Sequence, residues 1–108
     1  MKAWFMLTVV LSLWIAGCVK YYYREQDNTV TFYLSLPQAQ DVYFAYSIDR
    51  YRLHKVKKNK LGIWEFVAPS EFEFSYYYVV DGDMYVPTCE FKETDDFGGQ
   101  NCIFAPRP

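Results

Sequence analysis

The chain has 108 residues, with 11 Lys and Arg against 13 Asp and Glu and a formal net charge of −2. That length holds one domain and not two. The mildly acidic balance gives no electrostatic case for nucleic acid as a partner. The first element in the chain lies ahead of any fold. Lys2 is a minimal positive start, the stretch from Ala3 to Trp14 is apolar except for Thr8 and Ser12, and Ile15-Ala16-Gly17-Cys18 follows. A short charged start, a short apolar run and small residues before a cleavage point describe a secretory signal. The run is shorter than the roughly 20 residues that cross a bilayer comfortably.

Ile15-Ala16-Gly17-Cys18 also resembles the bacterial lipobox, in which an aliphatic residue and two small ones precede the acceptor cysteine. The resemblance implies a signal peptide over residues 1–17, cleavage before Cys18, and a lipid on its sulfur. The mature chain would then be held in the cell envelope, lipid-anchored to a bacterial membrane and facing periplasm or exterior. An ordinary signal peptide with a coincidental cysteine, or an N-terminal anchor, is the alternative. Removing residues 1–17 takes away Lys2 and no acid, leaving 10 bases against 13 acids and a net charge of −3. With Cys18 assigned to lipid, Cys89 and Cys102 remain as a pair, and an even pair in an exported protein suggests a disulfide. Two free thiols are the alternative. Neither cysteine sits in a CxxC, and the single histidine, His54, does not complete a zinc set.

Residues 18–28 read as a tether, because Tyr21 to Asn28 is polar and aromatic without a clean period. A domain follows over residues 29–108. In Val30 to Leu36, apolar Val30, Phe32, Leu34 and Leu36 alternate with Thr31, Tyr33 and Ser35, which predicts a half-buried strand ended by Pro37. Val42, Phe44 and Tyr46 mark a second strand. The basic run Lys55-Val56-Lys57-Lys58-Asn59-Lys60 reads as a solvated loop, with anionic-lipid contact as a lesser alternative. A third strand opens at Leu61-Gly62, with Trp64 and Phe66 on one face, and Pro69 stops it. In the fourth, Phe72, Phe74, Tyr76, Tyr78 and Val80 form the core set, and the acids among Glu71, Glu73, Ser75, Tyr77 and Val79 place that set outward. Asp81-Gly82 then joins Val79-Val80 to Met84-Tyr85-Val86, a strong hairpin signal because both turn positions need positive φ. A last strand is expected at Cys102 to Phe104. No helical period of useful length follows the signal. Short strands and frequent turns predict an all-β, antiparallel, immunoglobulin-like sandwich.

Tyr76-Tyr77-Tyr78-Val79-Val80-Asp81-Gly82-Asp83-Met84-Tyr85-Val86-Pro87, followed by Asp95-Asp96-Phe97-Gly98-Gly99-Gln100-Asn101, resembles the glycogen-binding modules of AMP-activated protein kinase beta subunits. It is similar as well to the N-terminal early-set domains of isoamylases and branching enzymes. Asp41-Val42-Tyr43-Phe44-Ala45-Tyr46-Ser47 looks like the second strand of that family, and Gly62-Ile63-Trp64-Glu65 like its Gly-x-Trp-Glu strand. The resemblance covers roughly Thr29 to Phe104. It implies an early-set sandwich, no catalysis, no cofactor, and an α-glucan or other glycan as ligand. The family's sugar-contacting positions map one at a time. A tryptophan after the second strand corresponds to Tyr51. A second tryptophan after the Asp-Gly turn corresponds to Met84 or Tyr85. A lysine on the outer face corresponds to Tyr77, and an asparagine after the glycines corresponds to Asn101. One polar position is thus kept, while the tryptophans and the lysine are replaced. Tyrosine can still serve such a site, since its ring packs on the C–H face of a sugar and its hydroxyl reaches a polar partner.

Other constellations carry less. Asp81, Asp83, Asp95 and Asp96 could be grouped as a calcium site, but Asp81 reads as turn chemistry and Asp95-Asp96 as a solvated loop, so no metal is expected. His54 has no nucleophile beside it, and no Gly-x-Ser-x-Gly elbow occurs. The leading expectation is a membrane-tethered glycan-binding module. A protein–protein interaction module built on the same aromatic face, or a purely structural envelope lipoprotein, are the alternatives.

Overall fold

The computed structural model describes residues 21–107, so the signal peptide and Cys18 lie outside the described residues. Ten β-strands follow in order: β1 (Tyr21–Gln26), β2 (Thr29–Leu34), β3 (Val42–Tyr46), β4 (His54–Lys55), β5 (Lys57–Lys58), β6 (Trp64–Pro69), β7 (Phe74–Val80), β8 (Asp83–Tyr85), β9 (Lys92–Thr94) and β10 (Gln100–Phe104). A 3₁₀ turn spans Ser47–Asp49, and there is no α-helix among the described residues. No helix there is long and apolar enough to cross a membrane.

Two antiparallel sheets form the expected immunoglobulin-like sandwich. One has four strands, ordered β1-β2-β6-β5. The other has six, ordered β4-β3-β7-β10-β9 with β8 against β7. Alternation decides what lies between them. Val30, Phe32 and Leu34 of β2, Val42 and Phe44 of β3, Phe74, Tyr76 and Tyr78 of β7, and Cys102 and Phe104 of β10 are all buried. Phe44 stacks on Phe66 at 4.3 Å and on Tyr76 at 5.3 Å, and Phe32 touches Phe44, Phe74, Tyr76 and Phe104. Trp64 is in this core, with its Nε1–H donating to the Leu36 carbonyl at 3.2 Å. Each large side chain so buried contributes about 1.5–3 kcal/mol relative to exposure.

The expected turn is present. Asp81 (φ 49°) and Gly82 (φ 89°) both take positive φ, and Val80 pairs with Asp83 across them. Asp81 does a second job: its Oδ1 accepts the backbone N–H of Gln40 at 2.9 Å and of Asp41 at 2.7 Å, pinning the approach to β3. Cys89 and Cys102 form a disulfide, with Cα atoms 5.9 Å apart, tying the segment after β8 to β10.

Three expectations are corrected. The stretch Tyr21–Gln26, expected within the tether, is edge strand β1, paired residue for residue with β2 from Tyr21↔Leu34 to Gln26↔Thr29. Its inward set, Tyr21, Tyr23 and Glu25, covers the margin of the core, where Tyr23 packs on Phe32 and Phe104. The basic run is not one loop. Lys55 pairs with β3, Lys57 and Lys58 pair with β6, and Val56 between them is buried at 2% exposure where the chain crosses from one sheet to the other. Phe72, placed in the core set of β7, is 61% exposed, because the strand begins only at Phe74.

Candidate functional site

The outer face of the six-stranded sheet holds a cleft of about 430 Å³, lined by Tyr51, Tyr77, Met84, Glu93, Asp95, Asp96, Phe97 and Asn101. It forms where β7 changes partner. Phe74 to Tyr76 pair with β10, whereas Tyr78 to Val80 pair with β8. The two neighbours part around Tyr77, and the gap between them is the cleft.

Each lining residue has a local reason to be there. Tyr77 lies on the outward parity of β7, between buried Tyr76 and Tyr78. Met84 is paired with Val79, which shares that outward face, and is half exposed. Tyr51 follows the 3₁₀ turn in the left-handed region (φ 63°), as does Arg50 before it (φ 65°). Two such non-glycine residues in succession are costly, about 1–3 kcal/mol each in general. They are held by the Tyr51 N–H bonding to the Tyr46 carbonyl at 2.9 Å and by a hydrogen bond between the Tyr51 and Ser75 hydroxyls. The outcome is a ring lying parallel to Tyr77, with centroids 5.6 Å apart and planes 23° apart.

The opposite wall is the β9–β10 loop. Asp95 Oδ1 accepts the N–H of Phe97 at 2.9 Å and of Gly99 at 2.8 Å, folding the loop around its own carboxylate. Gly98 takes φ 85°, a conformation that favours glycine, and a Cβ on Gly99 would lie 2.9 Å from Asp95 Oδ2 and press on the carboxylate that folds the loop. The loop carries Phe97 at its tip, 97% exposed. Asn101 sits at the base of the cleft, 5% exposed, and its Oδ1 is buried without a hydrogen-bond partner. Such a group ordinarily costs about 1–3 kcal/mol, so an orphan of this kind calls for an explanation.

Of the expected ligand residues, Tyr51, Tyr77, Met84 and Asn101 converge here. Tyr85 does not. Its partner across the hairpin is Tyr78, which points inward, and Tyr85 packs against the core. Phe97 and the rim acids Glu93, Asp95 and Asp96 were not anticipated as lining residues. The available signal was a phenylalanine inside an acidic, glycine-rich loop, where no core could receive it.

Chemically the cleft offers aromatic planes, a thioether, one buried amide and three carboxylates. Those carboxylates are hydrogen-bond acceptors, suited to ligands rich in hydroxyl donors. No group of three or more potential metal ligands occurs among the described residues. The chain matches no protein-family model and no curated protein sequence.

Proposed function

We propose that this chain is a non-catalytic carbohydrate-binding module, lipidated at Cys18, that presents the outer face of its six-stranded sheet to an α-glucan or related glycan. The observation that carries the reading is the convergence of Tyr51, Tyr77, Met84 and Asn101 on one cleft, with the Asn101 Oδ1 unpartnered at its base. A turn of the Asn101 side chain, whose Oδ1 is buried, would offer that oxygen to a sugar hydroxyl while the ring C–H face lies on a tyrosine. The resemblance to glycogen-binding modules supports the choice of α-glucan.

Binding is expected to be weak. Phenol replaces indole, and Tyr77 stands where a lysine donor would be. Each lost polar contact costs on the order of 1 kcal/mol, and a few such losses lower affinity by about one to three powers of ten. The chain begun at Val19 should be slightly retarded in native gels containing glycogen. Tyr51→Ala and Asn101→Ala should each remove the retardation. Strong retardation that survives both changes would refute the site. Complete absence of retardation would shift the reading to a protein partner, which Phe97 at 97% exposure among three carboxylates would favour. The anchor has its own test. Metabolic labelling with a fatty acid should mark the wild-type chain and not Cys18→Ser, and equal incorporation would end that part of the reading.

A further inference from the structure

We propose that the Asn59–Gly62 loop rests on the lipid surface that holds the chain, so that the cleft is turned away from the membrane. This inference relies on the tether at Cys18 proposed above and adds an orientation to it.

The register of the four-stranded sheet supplies the geometry. Tyr21 pairs with Leu34, Leu34 with Trp64, and Trp64 with Lys58. One row therefore crosses the whole sheet from the start of β1 to the end of β5. The point where the chain enters β1 and the loop that leaves β5 lie at the same end, three strand spacings or roughly 14 Å apart. Only Val19 and Lys20 separate Cys18 from Tyr21. Three residue steps reach at most about 11 Å, so a lipidated Cys18 would bring this end of the sheet to the headgroup layer.

What waits there suits that layer. Leu61 is 83% exposed at the tip of the loop, directly after exposed Lys60 and three residues after exposed Lys58. The loop is firmly built, not a loose excursion. Asn59 Oδ1 accepts the N–H of Leu61 at 2.8 Å and of Ile63 at 3.0 Å, and the Asn59 carbonyl accepts that of Gly62 at 3.0 Å. Lys58 Nζ lies 5.3 Å from the Trp64 ring centroid. An apolar tip preceded by two lysines matches an apolar boundary beneath anionic headgroups. Tyr22 and Arg24 are exposed on the same sheet, and Tyr22 stacks on Tyr33.

The other layer at this end is acidic. Tyr21 meets Tyr78 edge-on, which places the β7–β8 hairpin at the same end, with Asp41, Asp81 and Asp83 exposed around it. An anionic surface attracts the lysine corner and repels the aspartate corner. The domain then leans on its four-stranded sheet, and the opposite face looks outward.

The test uses the full chain purified with its anchor and reconstituted into phosphatidylcholine vesicles, with or without phosphatidylglycerol. A polarity-sensitive dye is placed on Leu61→Cys or, at the far end of the sandwich, on Phe72→Cys, and quenched by a nitroxide carried on lipid. Strong quenching at position 61 and little at position 72 is expected in the phosphatidylglycerol vesicles. Lys58→Gln with Lys60→Gln should weaken the position-61 contact by about 25-fold, since each basic residue near such a surface contributes about fivefold. Flotation reads the tether separately. A chain that floats with its vesicles but is quenched no more at position 61 than at position 72 overturns the orientation and leaves the anchor standing. A chain that does not float overturns both.

Discussion

The aromatic interior between the sheets and the aromatic cleft outside them draw on the same three consecutive residues of β7. Tyr76 and Tyr78 are 0% and 1% exposed, packed among phenylalanines, whereas Tyr77 between them faces outward onto Tyr51. Composition cannot distinguish these tyrosines; strand parity does. Each region also holds one orphan. The Tyr78 hydroxyl is buried without a partner in the core, and Asn101 Oδ1 is buried without one at the cleft. The first lies near the phenols of Tyr76 and Tyr85 without bonding to either. The second belongs to a residue that lines an open cleft, so a turn of the Asn101 side chain would bring it to a ligand.

The comparison breaks most sharply under truncation. Phe44→Ala removes a ring stacked on Phe66 and Tyr76, and should cost about 3–5 kcal/mol in chemical denaturation. Tyr77→Ala, on the other side of the sheet, should cost under about 1 kcal/mol while altering glycan retardation. Similar losses from the two changes would mean that the cleft is structural. Next comes the crosslink. Replacing both Cys89 and Cys102 by Ala opens a loop whose ends are 13 residues apart, and should lower stability by about 3 kcal/mol in the chain-entropy view. Denaturant midpoints of the oxidised and substituted chains would show it.

Alkali should sharpen the contrast further. Burial raises the phenol pKa of Tyr21, Tyr76 and Tyr78 above the ordinary 10.0, and for Tyr21 neighbouring Tyr76 adds to the rise. The fold therefore keeps protons that the unfolded chain has lost. Stability contributed this way is intact below pH 10.0 and falls as pH climbs beyond it, by about 1.4 kcal/mol per pH unit for each such tyrosine. Tyrosinate absorbance for these three should appear only together with unfolding; appearance in the folded protein would contradict their burial. The smallest effect is expected at the core orphan. Tyr78→Phe removes a hydroxyl that bonds to nothing, so it should leave stability unchanged or raise it by about 1 kcal/mol. A clear loss would reveal a partner for that oxygen.

The parts of the fold that were readable from sequence are those with long, strict alternation. Val30 to Leu34 and Phe74 to Val80 each present one apolar and one mixed face, and Asp81-Gly82 admits one tight turn. Strand β1 escaped because its inward positions are only partly covered, which allows Glu25 to stand in the apolar set and meet Arg107 at 3.5 Å. Strands β4 and β5 escaped because two residues carry no period, and their lysines point to solvent. Within the cleft, the choice between Met84 and Tyr85 was decidable. A two-residue turn pairs Val79 with Met84, which puts Met84 on the face of Tyr77 and Tyr85 on that of Tyr78. Phe97 was harder, since an exposed phenylalanine obeys no periodic rule.

The crossing at Val56 has a consequence for solubility. Unpaired strand edges template the joining of one molecule to another, and proteins blunt them with short strands and charged side chains. By stepping from β4 to β5 through a single buried residue, the chain covers part of that flank of the sandwich with two strands of two residues each. Lys55, Lys57 and Lys58 project from them into solvent. Where these short strands cover β3 and β6, the edge offered to another copy is two residues long and bears lysine, which works against edge-to-edge joining.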